Sequence, residues 1–166
     1  MKLLSLFALT LLLSVTVLAQ VTYNAPTGHF SVTFPAQPEY SSQDLEVQGM
    51  NVTMRSYFLN LDTASYYVAE VTYPESFEAD SDVQDLLRRS AHGFFAEFEL
   101  EEGEATTVYS GNIEGAEYQQ QTDLYGISYR AFFYKNTLIQ MAAMGYNGYL
   151  PDSDLKSFFT SLKINL

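Results

Sequence analysis

Two histidines, twenty acidic residues and no cysteine bound the chemistry open to this 166-residue chain. The lack of cysteine removes disulfides, thiolate metal sites and a cysteine nucleophile together. His29 opens a predicted strand and His92 lies within a predicted helix, with Ala96 one turn beyond it. Neither histidine belongs to a His-x-x-x-His or Glu-x-x-His pair, so a zinc site would need distant partners. Both read as structural or solvated. The run Asp80-Ser81-Asp82-Val83-Gln84-Asp85 has the acid spacing that opens a calcium loop. It lacks the glycine at the sixth position, and Ala91 stands where the closing glutamate belongs. Acids there suit the positive end of a helix instead.

Glycosidases work with two carboxylates facing across a cleft, and twenty acids make some pair inevitable. Most of these acids fall in predicted loops and helix ends. Glu70, inside a predicted strand, is the least usual, and it is expected to face solvent or to pair with Arg55 or Arg130. No Gly-x-Ser-x-Gly elbow and no phosphate-cradling glycine loop is present; Gly145-Tyr-Asn-Gly148 lacks the lysine and the helix such a loop requires. The sequence therefore assigns no catalytic, metal or cofactor residue, and no cofactor is expected. Aromatic residues make up 15% of the chain, thirteen of them tyrosines, with no tryptophan. Most suit strands and core. Tyr125, Tyr146 and Tyr149, in predicted loops near the end of a sheet, form the candidate binding surface. Asn51-Val52-Thr53 matches a glycosylation acceptor, which has meaning only in a eukaryotic host.

The elements that must hold these residues follow from hydrophobic period. Residues 30–34 alternate, with Phe30, Val32 and Phe34 on one face, the mark of a strand with one wet face. Residues 21–28 read as an arm or edge strand before it. Pro35 and Pro38 stop the run, since neither can donate to a ladder. Across Gly49 the apolar parity of residues 45–59 flips, which predicts a turn or bulge. A further strand spans Ser65 to Tyr73. The period then changes: Val83, Leu86, Leu87, Ala91, Phe94 and Phe98 form one stripe of a helix over 82–98. Ser81 is placed to cap it and Gln84 to close a capping box; the acidic stretch Glu97–Glu104 is its exit loop. Four more strands are predicted at Thr106–Ser110, Ala116–Thr122, Gly126–Tyr134 and Thr137–Tyr146, the last pair turning at Lys135-Asn136. Residues 138–144 are apolar on both phases except Gln140, as in a central strand covered on both faces. Asp152 or Ser153 opens a short helix carrying Leu155, Phe158, Phe159 and Leu162, and residues 163–166 add a final strand.

Neighbouring strands joined by short turns predict an α+β fold with a largely antiparallel sheet flanked by two amphipathic helices. Residues 1–19 precede this domain as a predicted signal peptide: Lys2, an apolar run from Leu3 to Leu18 and an exit at Val17 and Ala19. The run is short for a membrane span and carries four hydroxyls, and there is no cysteine to carry a lipid. The mature chain, residues 20–166, is then one domain of 147 residues. Loss of Lys2 leaves seven basic against twenty acidic residues, a formal −13. Such a surface repels phosphate backbones and anionic lipid heads, so neither nucleic-acid nor membrane binding is expected.

Three stretches carry a family likeness. Residues 28–39 (GHFSVTFPAQPE) resemble the FSVxFPxxPE opening of small exported bacterial domains. Residues 129–140 (YRAFFYKNTLIQ) are similar to their YRxxxxxxNxLY hairpin, with one residue fewer between Arg130 and Asn136 and Ile139 in place of the final tyrosine. Residues 158–163 (FFTSLK) resemble their FxxSF helix end, with Leu162 replacing the usual aromatic. These domains belong to the PsbP-like fold group, and the resemblance implies an α/β/α sandwich. Named members of the group are non-catalytic accessory or partner-binding proteins, and none of their functional residues maps onto a position here.

The expected function is thus an exported, periplasmic or extracellular, non-catalytic binding or accessory domain with a protein or small-molecule partner. A carboxylate-dependent hydrolase and a divalent-cation-responsive structural protein are the alternatives.

Overall fold

Ten strands and two helices form among residues 19–47, 49–74, 83–148 and 152–165, the parts of the chain described by the computed structural model. In chain order these are β1 (Val21–Asn24), β2 (Phe30–Phe34), β3 (Glu39–Val47), β4 (Met50–Asn60), β5 (Ala64–Thr72) and α1 (Val83–Ala96). Then come β6 (Thr106–Ser110), β7 (Ile113–Gln121), β8 (Tyr125–Tyr134), β9 (Thr137–Tyr146), α2 (Asp152–Thr160) and β10 (Lys163–Ile164). Seven strands build one antiparallel sheet in the order β3-β4-β5-β9-β8-β7-β6, and three build a second, β1-β2-β10. Residues 1–18 of the predicted signal peptide (1–19) and the Ser81 cap lie outside the described residues, as do Asp80 and Asp82 of the calcium-like run.

This architecture corrects the expectation of one sheet flanked by two amphipathic helices, the PsbP-like α/β/α sandwich. The protein is mostly β, and only one face of the large sheet is covered by a helix alone. There, α1 lays Leu87, Ala91 and Phe95, all fully buried, over β7 and β8. The opposite face is covered by the small sheet, with α2 beside it. Phe30, Val32 and Phe34 of β2 are fully buried there, against Tyr66, Val68, Phe158 and Phe159. The reason is combinatorial. The period-two pattern of residues 30–34 is satisfied by either sheet, and only pairing with β1 on one side and β10 on the other separates β2 from the larger one. The helical stripe also shifts by one residue: Phe95 is the buried member, whereas Phe94 is only half-buried.

Strand β9 is central, paired with β5 and β8, and Leu138 through Ala143 are buried on both phases. The Lys135-Asn136 turn joins β8 to β9, but the left-handed residue is Lys135 at φ 54°. Asn136 instead ties the turn to β5's exit, donating from Nδ2 to the Tyr73 carbonyl at 2.7 Å. Gly49, at φ 78°, makes the β3–β4 turn that the parity flip requires. Gly115 serves a different need: a Cβ there would stand 2.4 Å from the Phe132 ring and 2.5 Å from the Ala131 carbonyl oxygen. At one edge of the large sheet, β3 is exposed along most of its length and carries Glu39, Asp44 and Glu46, charges that discourage edge-to-edge pairing.

Candidate functional site

One row of side chains on the α1 face explains how a groove arises. Phe58, Tyr67, Ala142, Tyr129 and Tyr118 stand directly opposite one another on β4, β5, β9, β8 and β7. Four of the five are aromatic, and the small Ala142 leaves a gap among them. Phe94 of α1 approaches that gap, its ring 4.8 Å from Tyr129 and 5.7 Å from Tyr67. Helix α1 stops at Ala96, so the sheet beyond Phe94 lies open on this face, and Phe58 remains 39% exposed.

The result is a groove of about 290 Å³ lined by Phe58, Tyr67, Phe94, Phe98, Ala142 and Met144, with Ser65 and the exposed Glu97 as its polar members. Burial pushes the Tyr67 phenol up to about 12, so it stays neutral and can donate a hydrogen bond. The floor is held by a buried contact: the Tyr129 hydroxyl lies 2.9 Å from Gln140 Oε1 and 3.0 Å from Ser90 Oγ. Ser90 Oγ itself donates to the Leu87 carbonyl at 2.7 Å, which links helix to sheet. Loss of solvation in this interior drives the Tyr129 phenol far above its ordinary range.

Two of the three sequence-predicted tyrosines stand at the rim. Tyr125 and Tyr146 are cross-strand partners on β8 and β9, and both lie on the α1 face. The Tyr125 ring is 5.9 Å from Phe98, and the Tyr146 hydroxyl is 3.0 Å from Ser65 Oγ. They are strand residues, not loop residues as expected. Tyr149 lies outside the described residues. Sequence reasoning missed Phe58, Tyr67, Phe98 and Met144, which come from β4, β5, the turn after α1 and β9. A larger recess of about 610 Å³ opens on the opposite face at the same end, between α2 and the sheet, and Tyr146 borders it as well. Its lining mixes Gln20, Thr33, Thr63, Asp154 and Ser161 with Leu61, Tyr66 and Phe158.

The other singled-out residues have local tasks. Glu70 is fully buried on the face opposite α1, which rules out the expected solvent exposure. It accepts from Thr27 Oγ1 at 2.9 Å and from Arg55 Nη1 at 3.4 Å, so its partners are a hydroxyl and a guanidinium, not a second carboxylate. Arg130 pairs with Glu117. His29 Nδ1 lies 2.9 Å from the buried Thr137 hydroxyl. His92 Nδ1 lies 2.8 Å from Glu102, and this imidazole, helped by backbone and Arg88 donors, holds the Glu102 carboxyl below the usual range. Asp85 pairs with Arg88 and Arg89. A Ser-x-x-Lys spacing that sequence reading passed over occurs at Ser153 and Lys156; both are exposed, and the serine hydroxyl bonds Asp154 at 3.3 Å. Among the described residues no three histidine, aspartate or glutamate side chains gather to hold a metal, and no helix is long and apolar enough to cross a membrane. No protein-family model matches the chain, and no curated protein matches it.

Proposed function

We propose that this protein is exported, with its signal cut after Ala19, and that it works by binding and not by catalysis. Its ligand site is the aromatic groove between α1 and strands β4, β5 and β9. The observation that carries this reading is the composition of the groove wall: six apolar side chains from three strands, α1 and the turn after it, left partly open to solvent, with one carboxylate, Glu97, at the rim. Apolar pockets with a few placed polar groups are the usual form of small-ligand sites. The carboxylate and the formal −13 of the mature chain select for positive charge, so the favoured ligand is an apolar cation or a partner segment pairing an aromatic or aliphatic side chain with Lys or Arg.

Titration of the purified protein with tetraphenylphosphonium, an apolar cation, tests it by amide NMR shifts. Saturable shifts at residues 58, 65–67, 94–98 and 142–146 are expected, weakened severalfold by Glu97→Gln and by raised salt. Shifts scattered over the surface, or affinity indifferent to both changes, refute the groove as the site.

A further inference from the structure

On the face opposite α1, a second cleft of about 270 Å³ opens where α2 roofs β7 and β8. Its sheet wall is a square of cross-strand partners: Glu117 opposite Arg130, and Gln119 opposite Ser128. Its roof is Leu155, Lys156, Phe159 and Thr160 of α2. Three observations single it out. First, Ser128 is 1% exposed and its hydroxyl has no hydrogen-bond partner among the described residues, although buried polar atoms almost always find one. Second, Arg130 is held rigid: its Nε donates to Glu117, and its guanidinium carbon lies 4.4 Å over the Phe159 ring. Among the described residues, neither terminal nitrogen of the fork has a hydrogen-bonding partner. Third, Lys156 adds a second cation, so two of the seven basic residues beyond the signal meet at one cleft of a strongly acidic chain.

We infer that this cleft binds a small organic monocarboxylate with an apolar body. The end of the Arg130 fork matches a carboxylate in a planar, bidentate manner. The Ser128 hydroxyl offers the remaining donor, and Leu155 with the Phe159 ring takes the apolar part. Local charge decides the valence: Arg130 and Lys156 against Glu117 leave one net positive charge, which suits a monoanion and repels a dianion from the Glu117 side. The overall negative charge does not override this, because charges beyond about 8–10 Å are screened at ordinary salt.

The site is independent of the aromatic groove, which lies on the other face of the same sheet. Amide NMR of the purified protein, titrated with benzoate, benzyl alcohol and inorganic phosphate in turn up to about 10 mM, tests it. Benzoate should shift residues 117–119, 128–130 and 155–160 saturably, and leave the aromatic groove still. Lys156→Gln, an exposed change, and Ser128→Ala, a small one, should each weaken benzoate at least threefold without altering the fold's spectrum. Benzyl alcohol should not compete. Phosphate binding the same residues as tightly as benzoate would overturn the monocarboxylate class. Benzoate shifts that are absent, lie elsewhere or are unchanged in both variants would overturn the site.

Discussion

Truncating Phe95 and Phe94 in turn separates the core of the α1 face from its groove. Phe95 is fully exposed to protein and not at all to water, with Leu87 and Ala91 equally buried on the same helix face. Its ring lies 5.6 Å from Phe94 and 6.0 Å from Tyr129, so its neighbours are large, interlocked and slow to collapse into a void. Phe95→Ala should therefore cost about 3–5 kcal/mol, which in a domain of this size lowers the melting midpoint by about 6–20 °C. Phe94 contacts Tyr67, Phe98 and Tyr129 but keeps one side toward the groove. Phe94→Ala should cost only about 1–2 kcal/mol while weakening binding of tetraphenylphosphonium. Urea denaturation followed by tyrosine fluorescence measures both. If Phe94→Ala proved the more destabilising, the assignment of the buried helical stripe would be wrong.

Arg55→Met leaves the buried Glu70 with Thr27 alone; because the Arg55 side chain is 25% exposed and water can partly replace it, a loss of about 2–3 kcal/mol is expected by urea denaturation, and Glu70→Gln in the same background should recover part of it. Gly115→Ala forces a methyl into the Phe132 ring and the Ala131 carbonyl, so a loss of about 1–3 kcal/mol is expected, and a neutral outcome in thermal melts would refute the close approach. Tyr67, Tyr57 and Tyr129 all have phenols raised above 10.0 by burial. The fold thus favours their neutral form: the stability they contribute is full below pH 10 and is lost as pH climbs toward the raised values. Tyrosinate absorbance should lag behind that of the urea-denatured chain and then rise together with unfolding.

Local alternation and helical period were legible because each is a property of a few adjacent residues. Strand β9 is the clearest case: residues apolar on both phases became the strand between β5 and β8. Strand β3 gave no such signal, since its sequence, EYSSQDLEV, sits at an edge and faces mostly water. Phe94 and Phe95 are adjacent, and a stripe at helical spacing accommodates either; only the position of α1 over β7 and β8 decides between them. The groove was legible in part. Tyr125 and Tyr146 stood out as aromatics near a strand end, but the gap that makes the site is Ala142, a residue whose smallness means something only beside Tyr67 and Tyr129. The Ser128 cleft left no mark at all, because Arg130 and Lys156 meet only through the docking of α2.

Pairing of β2 with β10 also imposes an order of events on folding. The Thr33 amide donates to Ser161 Oγ at 2.9 Å across 128 positions of sequence, and β10 is required to complete the small sheet. Loop closure on that scale carries an entropy cost, so this layer is expected to close after the hairpins of the large sheet, an order that φ-values near zero at Thr33 and Ser161 would check. Until it does, Tyr66, Val68 and Met141 on one side, and Phe30, Val32 and Phe34 on the other, remain a sticky, unfinished surface. Docking of residues 161–164 is then the expected last step in building the small sheet.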